Sequence, residues 1–104
     1  MSHLLGSDEF RVLVRWLIEG TKGGRVRALI LLELRRNPSN PHRLSRVLGL
    51  NYRTITHHLE VLERHGIVRR LANGYGAPYV LTELAASRWS VIEESIKRRL
   101  GGEV

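Results

Sequence analysis

Arg53, Thr54, Thr56, His57, Glu60 and Arg64 lie in one short stretch, and helical spacing sets them against an apolar side made of Ile55, Leu59 and Leu62. Arg53, His57, Glu60 and Arg64 form the opposite face, with Thr54 and Thr56 on its two flanks. A helix that reads another molecule needs this division, one side locked on a body and one side free. The Arg53 guanidinium offers a fork of donors that matches guanine O6 and N7, a pairing worth about 1–3 kcal/mol of discrimination. Thr54 and Thr56 can bond phosphate oxygens or offer a methyl to thymine, and His57 can donate to a phosphate or a purine N7. Glu60 is awkward beside phosphates, so it either accepts from cytosine N4 or orients Arg53 and Arg64. One amphipathic helix alone reads equally well as a solvated surface. Its neighbours decide.

Upstream, Asn40 suits a helix N-cap and Pro41 the first helical position, where a missing N–H costs nothing. A short helix over 41–48 should pack through Leu44, Val47 and Leu48. Gly49 then suits a left-handed residue past the helix end, and Asn51 caps the helix over 52–65. Downstream, Ile67 and Val68 begin a strand, Asn73-Gly74 marks a hairpin, and Tyr79 to Leu81 returns. Arg69 and Arg70 precede the tip, which Asn73, Gly74, Tyr75 and Gly76 form. Consecutive strand residues point to opposite faces, so only one of the two arginines should reach a partner in a given pose. The order of short helix, glycine turn, longer helix and basic hairpin predicts a winged helix-turn-helix. Such a module lays one helix in the major groove of DNA with a hairpin beside it. The expected fold is mainly α with a small β-hairpin wing.

The rest of the chain must hold this unit. A helix over 8–19 carries Phe10, Leu13, Val14, Leu17 and Ile18 at helical spacing, with Val12 and Trp16 apolar as well. Gly20 to Gly24 breaks it, and the Gly23-Gly24 pair reads as a hinge. A helix over 25–36 should turn Val26, Leu29, Ile30 and Leu34 inward and Arg25, Arg27, Glu33 and Arg36 outward. Thr82 caps a last helix over 83–100, with Ala85, Trp89, Ile92, Ile96 and Leu100 on one stripe. Both terminal helices carry more apolar surface than a small monomer leaves exposed. They are therefore expected to form a twofold interface through Phe10, Leu13, Trp16, Leu17, Trp89, Ile92 and Ile96. A symmetric dimer would present two reading helices to half-sites about one DNA turn apart, and so favour a pseudo-palindromic site.

Composition agrees. The 104 residues form one domain, 1–104, with a DNA-binding core over 25–82, and carry a net charge of +7. The basic excess lies upstream of residue 82, as a polyanionic partner requires. There is no cysteine, which removes disulfides and thiolate metal sites and fits a reducing cytoplasm. No apolar run reaches the roughly 20 residues of a membrane span, and the first residues lack the pattern of a secretion signal. Glutamine is absent and methionine occurs once, a loss of thermolabile residues that points to a hot-environment, archaeal source. No catalytic constellation is present, so neither an enzyme nor a cofactor is expected. His58 and His65 share a helix side but stand about 10 Å apart along the axis, too far for one metal ion.

The run Thr56, His58, Leu59, Leu62, then Gly66-Ile67-Val68, then Tyr79-Val80-Leu81-Thr82 resembles the winged-helix domain of ArsR-type bacterial and archaeal regulators. MarR-type regulators share the architecture. The resemblance spans roughly residues 25–82. It implies a homodimeric transcription regulator whose terminal helices form the interface. It also implies that Arg53, Thr54, Thr56 and His57 match DNA-reading positions, while His58 matches a packing position. The chain departs from the metal-sensing members, having no cysteine and no histidine in its last helix, so metal sensing by those routes is rejected. The expected function is a sequence-specific, dimeric repressor binding double-stranded DNA. Two alternatives stand beside it: an architectural, chromatin-like protein that coats DNA with little sequence preference, and a winged-helix adaptor that binds other proteins of the transcription machinery.

Overall fold

A computed structural model describes residues 2–101 of the chain. Six helices and one hairpin follow in the order α1 (Ser2–Ile18), α2 (Gly24–Arg36), α3 (Pro41–Leu48), α4 (Tyr52–Arg64), β1 (Val68–Arg70), β2 (Tyr79–Leu81), α5 (Glu83–Ser87) and α6 (Trp89–Leu100). Among the described residues no helix is long and apolar enough to cross a membrane. The winged helix-turn-helix is present as the sequence predicts: α3 and α4 pack on one another and the hairpin follows.

The caps are where the residue types place them. Asn40 accepts from the Arg43 N–H at 2.8 Å, Asn51 from the Arg53 N–H at 2.7 Å, and Thr82 from the Ala85 N–H at 3.2 Å. Each satisfies a helix-start donor that has no partner inside its helix. Gly49 adopts φ 67°, the left-handed conformation that ends α3 and aims the chain into α4.

The core forms where α1, α2, α4 and α6 meet. Ala28, Ile30, Leu31 and Leu34 of α2 are buried against Val14, Leu17 and Ile18 of α1, Ile55, Leu59 and Leu62 of α4, and Ile92 and Ile96 of α6. A polar tie closes the seam between α1 and α6. Arg98 donates to both carboxylate oxygens of Glu19 at 3.0 and 3.1 Å, and Ser95 donates to the same group. The Arg98 hydrogen bonds, first among the causes, hold the Glu19 carboxyl below the usual carboxylate range.

Several expectations are corrected. The last helix is two helices, because the backbone leaves helical geometry at Arg88, φ −110° and ψ 27°, and α6 restarts at Trp89. That break swings α6 onto α1 and α2. Val47 is half exposed rather than packed. The Gly23-Gly24 pair is a close approach rather than a hinge. A methyl on Gly24 would collide with the Ile18 carbonyl, and one on Gly23 would collide with the His58 ring. Most of the expected subunit interface lies inside the chain's own core. Phe10, Leu17, Trp89, Ile92 and Ile96 are buried, and Arg88 and Arg35 stack over the Phe10 and Trp89 rings at 4.9 and 5.1 Å. Leu13 is partly covered, which leaves Trp16, 50% exposed, and Val12, 67% exposed, as the bare apolar surface of residues 9–18 of α1.

Arg27 is corrected most sharply: expected outside, it is 4% exposed. Its Nε donates to the Leu17 carbonyl at 2.8 Å, and a second nitrogen lies 3.0 Å from Nδ1 of His58. Burial foremost, then the charges of Arg27 and His57, pushes the His58 imidazole down from 6.5 to about 4. Between those two values the unfolded chain binds a proton that the folded chain refuses. Stability is therefore complete above about pH 6.5 and falls as pH drops toward about 4, by about 3 kcal/mol. Chemical unfolding at about pH 7.5 and about pH 4.5 should show this loss, and His58→Asn should flatten it.

Candidate nucleic-acid interface

Helix α4 stands on the body through Ile55, Leu59 and Leu62, all fully buried, with His58 buried beside them. Its other side is open. Arg53, His57, Glu60 and Arg64 are exposed, and Thr54 and Thr56 are half-buried on the flanks. The Thr56 hydroxyl donates to the Arg53 carbonyl at 3.1 Å, which leaves its oxygen free to accept. Glu60 makes no ion pair with Arg53 or Arg64, so it orients neither. Among the described residues Arg53, Arg64 and Arg69 have no acidic partner. Three uncompensated guanidinium groups are thus spread over α4 and the wing.

The wing strands are short and pair antiparallel, Val68 with Leu81, Arg69 with Val80 and Arg70 with Tyr79. Asn73-Gly74 does not make a tight two-residue turn. The tip is a longer loop closed by the Leu71 N–H on the Pro78 carbonyl at 2.9 Å, with Gly74 and Gly76 at φ 103° and 81°. The two wing arginines diverge. Arg70 turns back to Glu63 of α4 at 3.4 Å, while Arg69 is exposed and unpaired. Strand β2 has a second neighbour in the link before α3. Ser39 and Tyr79 exchange both backbone hydrogen bonds, at 3.1 and 2.8 Å.

Sequence reasoning missed two residues at this surface. His42, in the first turn of α3, stacks on Tyr52, the first residue of α4, with ring centroids 4.6 Å apart. Tyr75 at the wing tip meets His42 edge-on at 5.0 Å, and its hydroxyl bonds His42 Nε2. The three rings tie wing tip, α3 and α4 together at their shared open side. The available signal was that His42 and Tyr52 each follow an N-cap pair, at helix starts where backbone N–H groups favour anions. Nothing local placed Tyr75 beside them. Trp16 has a further contact, edge-on to His65 at the end of α4 with centroids 5.8 Å apart.

Residues 16–97 match the sequence profile of one protein family, described as methanogenesis regulatory protein FilR1, N-terminal domain. No curated protein matches the chain significantly. Among solved structures, transcriptional regulator PA3341 superposes with a TM-score of 0.62 at 26% identity, covering 97% of this chain and 79% of its own. The homodimeric winged helix-turn-helix DNA-binding domain of Mb0332 from Mycobacterium bovis, a possible ArsR-family transcriptional regulator, gives 0.64 at 16% identity, covering 89% and 83%. A MarR mutant from E. coli complexed with operator DNA gives 0.60 at 21% identity, covering 97% and 71%. At those identities the last two speak for the fold.

Because the Tyr75 hydroxyl and ring tie the tip to α3, Tyr75→Ala should free the wing without unfolding the body. Backbone amide relaxation should show order parameters for residues 72–76 falling below about 0.6, the flexible range, while those of α4 stay unchanged.

Proposed function

The chain belongs to the family of the FilR1 N-terminal domain, a winged-helix regulatory domain, and on that premise we propose that it reads double-stranded DNA sequence as a homodimeric repressor. The observation that carries this reading is the open row of Arg53, Thr54, Thr56 and His57 on α4, set beside the unpaired Arg69 of the wing. Short polar groups and one forked cation near the start of a helix suit base edges in the major groove. Arg64, Asn73 and Tyr75 then fall at the margins, where phosphates pass. Repression needs occupancy of a promoter and no further activity. The narrower assignment to an ArsR-type regulator of an archaeal cytoplasm rests on the sequence motif and the composition.

The twofold surface is the bare part of α1. Trp16 and Val12 lie one turn apart on it, with Leu13 partly covered beside them, and a large aromatic of this kind is a common interface anchor. A dimer built there would set two copies of α4 against a pseudo-palindromic site.

Selection from a pool of random duplexes, followed by sequencing, should return such a site. Arg53→Ala should then relax preference at particular base pairs, costing about 1–3 kcal/mol there. Arg69→Ala should weaken all sequences alike and lower the salt slope by about one. Uniform loss in both variants would favour an architectural DNA coat, and an absence of salt-dependent binding would favour a protein-binding adaptor. Trp16→Glu should convert the dimer to a folded monomer in sedimentation, and a wild-type chain sedimenting at 11.9 kDa would remove the dimer.

A further inference from the structure

Arg27 is the one buried arginine among the described residues, and no carboxylate there pairs with it. A buried guanidinium is costly unless something balances its charge and takes up its donors. Both needs are met by other means. Nε donates to the carbonyl of Leu17 in the last turn of α1, where the helix dipole places negative partial charge. One terminal nitrogen donates to the Thr21 hydroxyl in the turn that follows. The other lies 3.0 Å from Nδ1 of His58 on α4. A guanidinium only donates, so Nδ1 must accept and the imidazole proton must sit on Nε2. Gly23 seals the group, since a methyl there would stand 2.7 Å from the guanidinium and collide with the imidazole.

Three directions are thereby set at once. Ile55, Leu59 and Leu62 hold α4 on the core by apolar contact, which tolerates small slides and rotations. Base readout tolerates only about 0.5 Å. The single hydrogen bond from Arg27 to His58, with the guanidinium fixed at its other two nitrogens, removes that freedom at the centre of the reading stretch, next to His57 and one turn after Thr54. We propose that Arg27 is the positioning residue of the reading helix: seated on the end of α1, it holds α4 through His58 in the orientation that presents Arg53, Thr54 and His57 to bases. This rests on the DNA-reading role proposed for α4. It also links two surfaces, because Leu17, which receives Nε, adjoins Trp16 on the bare face of α1.

Arg27→Met, His58→Leu and His58→Asn test the assignment. The Asn side-chain oxygen can stand where Nδ1 accepts, whereas Leu preserves bulk and removes the acceptor. Arg27→Met and His58→Leu should lower the ratio of selected-site to random-duplex affinity about tenfold, the loss of a charge-assisted hydrogen bond. Random-duplex affinity should be unchanged, and His58→Asn should keep the wild-type ratio. Residual dipolar couplings of the α4 amides should report a reoriented helix in Arg27→Met and the wild-type orientation in His58→Asn. A wild-type ratio in Arg27→Met, or a better ratio in His58→Leu than in His58→Asn, overturns the proposal. If the wild type itself shows no sequence preference, the DNA-reading role fails, and the couplings decide alone: an unmoved α4 in Arg27→Met overturns the positioning role and a reoriented one upholds it.

Discussion

Helix α2 is in contact with α1, α3, α4, α6 and β2, and the arrangement of the molecule follows from that crowding. A thirteen-residue helix meeting five neighbours must be apolar on most of its circumference. Ala28, Ile30, Leu31 and Leu34 meet that demand, with Val26 and Leu29 at the margin. Helix α1 approaches the start of α2 so closely that a side chain is excluded at Gly24, while the His58 ring of α4 excludes one at Gly23. Where a charge does enter, at Arg27, the end of α1 supplies the compensation. The exposed face of α4 is thus referenced to the middle of the molecule rather than to a loop at its edge.

Local chemistry was legible in the residues. Asn40, Asn51 and Thr82 cap because a short polar side chain before a helix has an orphan N–H to satisfy. Gly49 turns because only glycine takes a positive φ freely there. The two sides of α4 follow from periodicity alone. What periodicity cannot show is what a face meets. Charge alone predicts Arg27 outside, yet the end of α1 and the His58 ring make a polar niche assembled from distant parts of the chain. The break at Arg88 carries no glycine or proline to mark it; it comes from packing α6 on two other helices.

The same limit explains the terminal helices. Their excess of apolar residues was real, but it reads the same whether a second chain or the chain itself covers it. Here α1 and α6 cover each other and α2, with Arg35 and Arg88 over the Trp89 and Phe10 rings, so a strip around Trp16 is left. The aromatic contact of His42, Tyr52 and Tyr75 was out of reach for a related reason. Two of the three rings sit at helix starts, and the third arrives from the wing tip by way of a loop.

The paired hydrogen bonds between Ser39 and Tyr79 bear on more than the pitch of the wing. They occupy the outer side of β2 at its first residue, while β1 occupies the inner side. The edge on the other side of the sheet is that of β1, three residues long and ending in two arginines. A strand from another molecule finds neither the length nor the neutrality it needs to dock there. The one sheet among the described residues is in this way kept from growing between copies.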